Sequence, residues 1–162
     1  MKKKILIIQG SSLKKINIKT DTSFFLGLEA QRRSYQIYYY EPRDLSFING
    51  KVTALCSKVK FVDNSKKPVK VLNKKVLNLL QAKLILIRSE PPFNQQYINT
   101  TFILEHISKK VRIINYPKAL REVPEKLFSL RLTKFMPKTL ISENLNEIKS
   151  FLKRNKKIVM KT

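Results

Sequence analysis

Short, unbroken apolar runs alternate along this chain with stretches in which apolar residues recur every three to four positions, a pattern that predicts strands and helices in turn. Ile5–Ile8 and Leu84–Ile87 are continuously apolar, as strands buried on both faces require. Gln36–Tyr40 reads as another strand. Its three consecutive tyrosines alternate between the faces of a sheet, so they pack at core and rim and form no single stacking platform. Val111–Asn115 is a fourth strand. Asp21, Thr22 or Ser23 caps a helix that turns Phe24, Phe25 and Leu28 inward and leaves Glu29, Arg32 and Arg33 in water. Asn94 caps a second, with Tyr97, Ile98, Phe102, Ile103 and Ile107 on one broad side. Within Leu45–Val62, the Asn49-Gly50 pair between β-prone residues predicts an antiparallel hairpin. Asp63–Asn73, built of Lys, Asn and Ser around Pro68, reads as a surface loop, and Val76–Gln81 as a short helix. Strands alternating with helices predict a doubly wound α/β domain.

Past Tyr116 the pattern changes. Pro117 and Pro124 punctuate a short helical piece, and a domain boundary is expected near Val123. Glu125–Leu132 reads as helix and Lys138–Ile141 as strand. Asn144, with Glu147 three residues on, has the spacing of a capping box before a helix that buries Leu145, Ile148, Phe151 and Leu152. Ile158–Lys161 begins a further strand.

The stretch Leu84–Glu105 organises the rest. Pro91 and Pro92 stop the strand and cannot sit inside the following helix, so Arg88 to Asn94 is a stiff turn. In open α/β sheets ligands sit outside the carboxyl ends of the strands, which makes this loop a candidate site and Gln9-Gly10-Ser11-Ser12 a second ligand edge. Arg88, at a strand end beside a rigid loop, is placed to hold a substrate carboxylate. One glycine without a following GxxG is no dinucleotide fingerprint. The sole histidine, His106, has no nucleophile or metal-ligand neighbour at useful spacing and reads as structural or surface. Cys56, also alone, reads as an inert thiol.

Charge alters this picture. Lys+Arg number 34 against 11 Asp+Glu, a formal net charge of +23, which raises a polyanion partner as a question. The lysines are dispersed, densest in Lys58–Lys75 and Lys149–Lys161, in a chain also rich in Ile and Asn, the joint bias an AT-rich genome produces. Solvated lysine cover is therefore expected, and nucleic acid is not an expected partner. A basic nucleic-acid-binding module is the alternative, and it requires lysines gathered on one face. A single cysteine excludes an intramolecular disulfide and a zinc framework, and no run approaches the ~20 apolar residues of a membrane span. A cytoplasmic location is expected.

Five segments in order carry a family resemblance: INIKTDTSF (16–24), LEAQRRSYQIYYYEPRDL (28–45), LIRSEPPFNQQYINTTFILE (86–105), IINYPKALREVPEKLF (113–128) and PKTLIS (137–142). Over its whole length the chain resembles bacterial glutathione synthetases, ATP-grasp ligases. The resemblance implies an α/β fold: a Rossmann-like pre-ATP-grasp domain with a mainly parallel sheet over 1–122, then the beginning of an ATP-grasp domain over 123–162. It implies ligation of γ-glutamylcysteine and glycine with ATP and Mg²⁺ through an acyl phosphate, and a homo-oligomer. Lys126 in EKLF and Lys161 in IVMKT match the family's two nucleotide lysines. Arg88, Glu90 and Asn94 in the PPF loop, and Arg121 in ALRE, are the substrate-binding candidates; no catalytic residue is assigned. A related ATP-grasp amino-acid ligase is the neighbouring alternative.

Departures accompany the matches. The family's RKDPPFD is RSEPPFN here, its Asp-Pro after the first strand is Gln9-Gly10, its RRG glycine is Ser34, and the proline of its LKP strand is Thr162. Asp63–Lys83 matches poorly. In the family a glycine-rich lid and acidic metal ligands follow the LKP strand, whereas here the last glycine is Gly50 and the last acidic side chain Glu147. The chain is thus expected to correspond to the first half of the enzyme, to hold no metal ligands and to be inactive alone.

Overall fold

The computed structural model describes residues 4–64, 66–90, 92–124 and 127–161. They fall into two compact units, Met1–Val123 and Pro124–Thr162.

The first unit is built on one sheet. Strands β1 (Ile5–Gly10), β2 (Gln36–Tyr40), β3 (Leu45–Ile48), β4 (Lys51–Phe61), β5 (Val69–Asn78), β6 (Leu84–Arg88) and β7 (Arg112–Ile114) are arranged in the order β3-β4-β2-β1-β6-β7, with β5 also paired to β4. β2, β1, β6 and β7 are mutually parallel; β3, β4 and β5 are antiparallel to their neighbours. Helix α1 (Thr22–Arg32) lies among the buried residues of one sheet face, and α2 (Gln95–Glu105) among those of the other.

Period-two alternation sorts the core. Ile7, Tyr38, Ile85 and Ile113 stand in register across four strands and share one cluster with Leu104 and Ile107. Leu6, Ile8, Ile37 and Tyr39 turn to the opposite cluster, with Phe24 and Phe61. The tyrosine run therefore splits as expected, Tyr38 and Tyr40 on one face and Tyr39 on the other. Gly27 is forced by packing, because a Cβ there would lie 2.3 Å from the Phe61 ring. Asp21 caps α1 by accepting from Ser23 N at 2.7 Å. At the other end Ser34 adopts φ 63°, with Tyr35 N donating to Ala30 O and Ser34 N to Gln31 O, a Schellman closure in the left-handed position that glycine favours. The hairpin forms as predicted: Ile48 pairs with Lys51, and Asn49 and Gly50 both have positive φ.

Several expectations are corrected. Asp63–Asn73 is not wholly loop and Val76–Gln81 is not a helix: β5 runs through Val69–Asn78, followed by a 3₁₀ turn at Leu79–Gln81. Backbone pairing to β4 overrides a polar, lysine-rich composition, which an edge strand tolerates. Phe25 and Phe102 are exposed, since the faces of α1 and α2 that meet the sheet are Phe24 with Gly27, and Thr100, Thr101 and Leu104.

In the second unit, a 3₁₀ segment spans Phe128–Phe135 where helix was expected over Glu125–Leu132; Glu125 and Lys126 lie outside the described residues. Helix α4 (Leu145–Asn155) forms behind its cap, Asn144 accepting from Asn146 N and Glu147 N. The strands expected at Lys138–Ile141 and Ile158–Lys161 are coil. A strand needs a neighbour for its ladder, and none of the described residues offers one.

Candidate functional site

The parallel strands end together. Gly10 pairs with Arg88 in the β1–β6 register, so the loop after β1 and the loop after β6 leave the same edge side by side. A buried polar chain joins them: Tyr40 Oη donates to Gln9 Oε1 at 2.8 Å, and Gln9 Nε2 donates to Ser89 Oγ at 3.1 Å. Such fully paired groups hold a loop in one place. Gly10 lets the next strand close in, because a Cβ at that position would lie 2.1 Å from Tyr39 Oη. That hydroxyl instead donates to Ser11 O at 2.6 Å. Burial pushes the Tyr39 hydroxyl far above its ordinary range, and the Asp21, Glu41 and Glu90 carboxylates push it the same way, so it remains a donor.

Between these loops and the start of α1 lies a recess of about 80 Å³, walled by Ser11, Ser12, Lys15, Asp21, Thr22, Tyr39, Arg88 and Glu90. Arg88 is its central group. Its Nη2 donates to Thr22 Oγ1 at 2.7 Å, while its Nε is buried and meets no partner among the described residues. A desolvated guanidinium N–H without an acceptor costs free energy that an incoming anion would recover. Lys15 adds a second positive charge, and Asp21 and Glu90 supply negative charge to the same small volume. A recess carrying both signs suits a zwitterion better than a simple anion.

The remaining sequence candidates are distributed differently. Arg121, on α3 (Pro117–Glu122), donates to Thr101 Oγ1 at 3.0 Å and to Glu105 Oε2, and its guanidinium lies 3.9 Å from the Phe102 ring centroid. All three partners are on α2, so Arg121 clamps α3 to the helix that follows the loop. Asn94 caps α2 by accepting from Tyr97 N at 3.0 Å and does not wall the recess. Lys126 lies outside the described residues, and Lys161 is exposed coil in the second unit. His106 packs edge-on against Phe47, ring centroids 5.0 Å apart. Cys56 is buried in the core, and its thiol is pushed up from 9.0 to about 12, by burial first. Lys15, Asp21, Thr22 and Tyr39 were not among the site residues expected from sequence; Lys15 lies close to Gln9–Ser12, Asp21 and Thr22 are at the start of α1, and Tyr39 is far from both in sequence and reaches the recess only through the pairing of β2 with β1. Among the described residues no three His, Cys, Asp or Glu side chains gather as metal ligands. They do not fit a protein-held Mg²⁺, which takes several oxygen ligands in near-octahedral geometry. Among them, too, no helix is long and apolar enough to cross a membrane.

Comparison with known proteins matches this chain to two successive families: the prokaryotic glutathione synthetase N-terminal domain over residues 4–121, and the prokaryotic glutathione synthetase ATP-grasp domain over 125–162. Curated relatives named glutathione synthetase include one from Buchnera aphidicola subsp. Schizaphis graminum, 38% identical over 93% of this chain and 47% of its own length. Others come from Mesorhizobium japonicum, 37% identical over 99% of this chain and 51% of the relative, and from Escherichia coli strain K12, 37% identical over 90% and 46%. The chain spans about half the length of the curated relatives it matches. With ordered matches to both domains over nearly all of its residues, the chain belongs to the prokaryotic glutathione synthetase family.

Proposed function

We propose that the protein carrying this chain is a cytoplasmic glutathione synthase, and that the Arg88 recess receives its dipeptide substrate. In the reaction, the terminal phosphate of ATP passes to the cysteinyl carboxylate of γ-glutamylcysteine, giving an acyl phosphate and ADP. The glycine amine then attacks the acyl carbon, a C–N bond forms, phosphate leaves and the amine gives up a proton. Mg²⁺ accompanies ATP in this family. Two successive family matches support the reaction.

The recess assignment is carried by one observation: Arg88, whose Nε is buried and unpartnered, walls a recess together with Lys15, Asp21 and Glu90. The glutamyl end of γ-glutamylcysteine is an amino-acid zwitterion. Arg88 and Lys15 complement its α-carboxylate, Glu90 and Asp21 its ammonium. Asn94 and Arg121 act one step back, fixing the start and the flank of α2. In calorimetric titration of the 162-residue chain with γ-glutamylcysteine, Arg88→Met should weaken binding at least about tenfold, the worth of one charge-assisted hydrogen bond, with an unchanged melting temperature. Equal binding by both chains overturns the recess assignment. The reaction itself is read from tripeptide formation by the protein carrying this sequence; ATP turnover that follows a different amino-acid pair would assign it to a related ligase.

A further inference from the structure

We propose that one face of the β4–β5 ribbon is a docking surface for the phosphate backbone of single-stranded nucleic acid. From Lys58 to Lys75 the chain holds seven lysines and a single acidic residue, Asp63. The strand register sorts four of them onto one face, while Lys74, opposite Ser57, stands on the other. Lys60 stands directly opposite Lys70, Lys58 opposite Asn73, and Lys75 opposite Cys56. Residues 56, 58 and 60 share a face, and cross-strand partners share it with them, so Lys58, Lys60, Lys70 and Lys75 all stand on one side of the ribbon. Two independent facts fix which side: Lys58 is in register with Tyr38, and Lys75 Nζ lies 5.2 Å from the Tyr38 ring centroid.

These lysines are uncompensated. None of the four makes an ion pair among the described residues. Like charges directly opposite one another destabilise a strand pair, so Lys60 and Lys70 are held against their own repulsion. Along β4 their three rows are two residues apart, with one extra β5 residue at the register shift between Lys58 and Val59; the step of roughly 7 Å at strand rise is comparable to the spacing of successive phosphates in an extended nucleic-acid strand. The face also decides between polyanions. Its paired exposed positions are lysines and Asn73, whereas the exposed apolar residues Leu55, Val71 and Val76 stand on the reverse face and exposed Leu72 sits unpaired at the register shift between Lys58 and Val59. A membrane surface would call for apolar side chains beside the lysines; a phosphate backbone calls for cations and amide donors.

Fluorescence anisotropy with labelled oligo(dT) and oligo(U) tests this on the 162-residue chain. Neutralising four phosphates gives a log–log salt slope near about −3, or affinity falling about 50-fold from 50 to 200 mM salt. The quadruple variant Lys58→Gln/Lys60→Gln/Lys70→Gln/Lys75→Gln should lose at least about tenfold in affinity and most of that slope. A control removing the same charge elsewhere, Lys149→Gln/Lys153→Gln/Lys156→Gln/Lys157→Gln, should stay within about twofold. Equal losses in both variants would mean net charge alone and overturn the surface, as would no binding at 50 mM salt. Tighter binding to phosphatidylserine vesicles than to either oligonucleotide, lost in the same ribbon variant, would overturn nucleic acid in favour of a lipid surface. Photocrosslinking of 4-thiouridine RNA to the unmutated chain gives a readout independent of variant folding: crosslinks should map to 56–75, and crosslinks confined elsewhere overturn the proposal.

Discussion

The two units of this chain use the same local chemistry and reach different ends. In residues 4–123, capped helices close over a sheet whose central strands are almost entirely buried. In the 124–162 unit, α4 has an equally good cap and a sharply segregated apolar side, yet no described residue is buried; Leu145 is 68% and Phe135 74% exposed. Caps and periodicity thus suffice to start a helix, while burial of a shared face is what makes a core. The recess walls, accordingly, come from the unit with the core.

The largest expected break in that contrast comes from deletion of a buried ring. Phe61 packs against Phe24 and Gly27, and Phe61→Ala should cost about 3–5 kcal/mol, whereas Leu145→Ala, with little burial to lose, should stay within about 0.5 kcal/mol in urea unfolding followed by circular dichroism. Equal losses would erase the distinction between the units.

Cys56 sharpens it in pH. Its thiol is raised from 9.0 to about 12 in the fold, chiefly by burial, so the folded state keeps a proton that the unfolded state releases. Stability from this group is complete below pH 9 and is lost as pH rises toward 12; the buried Tyr39 and Tyr40 hydroxyls, raised for the same reason, act in the same direction. The urea midpoint of the first unit should therefore fall between pH 7.5 and 10.5. At pH 8 native Cys56 should alkylate on the order of a thousandfold more slowly than in denaturant, from its thiolate fraction alone. Fast native alkylation would show that this core opens readily.

The smallest effect tests a single backbone angle. Ser34 holds φ 63° in the Schellman closure of α1, so Ser34→Gly should raise stability by about 0.5–1 kcal/mol, measured as a higher melting temperature. A lower melting temperature would mean that the serine side chain contributes more than its backbone strain removes.

Much of the fold was legible in residues 4–62 and 84–123. Continuous apolar runs marked the parallel strands, Asp21 and Asn94 marked helix starts, and Asn49-Gly50 marked the hairpin; each is a short-range signal with a local physical cause. The site was half legible. Arg88, Glu90 and Gln9–Ser12 could be placed at a carboxyl edge because strand direction dictates it, but Thr22, Lys15 and Tyr39 come from elements whose side chains reach the recess only through packing.

Family membership and the elements with strong local codes were decided by sequence alone. What only the tertiary structure decided is non-local. β5 exists because β4 offers a ladder to a lysine-rich segment that its composition would leave in a loop. Arg121 becomes a clamp because Thr101, Phe102 and Glu105 surround it. Lys58, Lys60, Lys70 and Lys75 come to share one face because cross-strand register sorts them. A strand pair or a guanidinium contact takes its energy from a partner far away in sequence, and no window of neighbouring residues contains that partner.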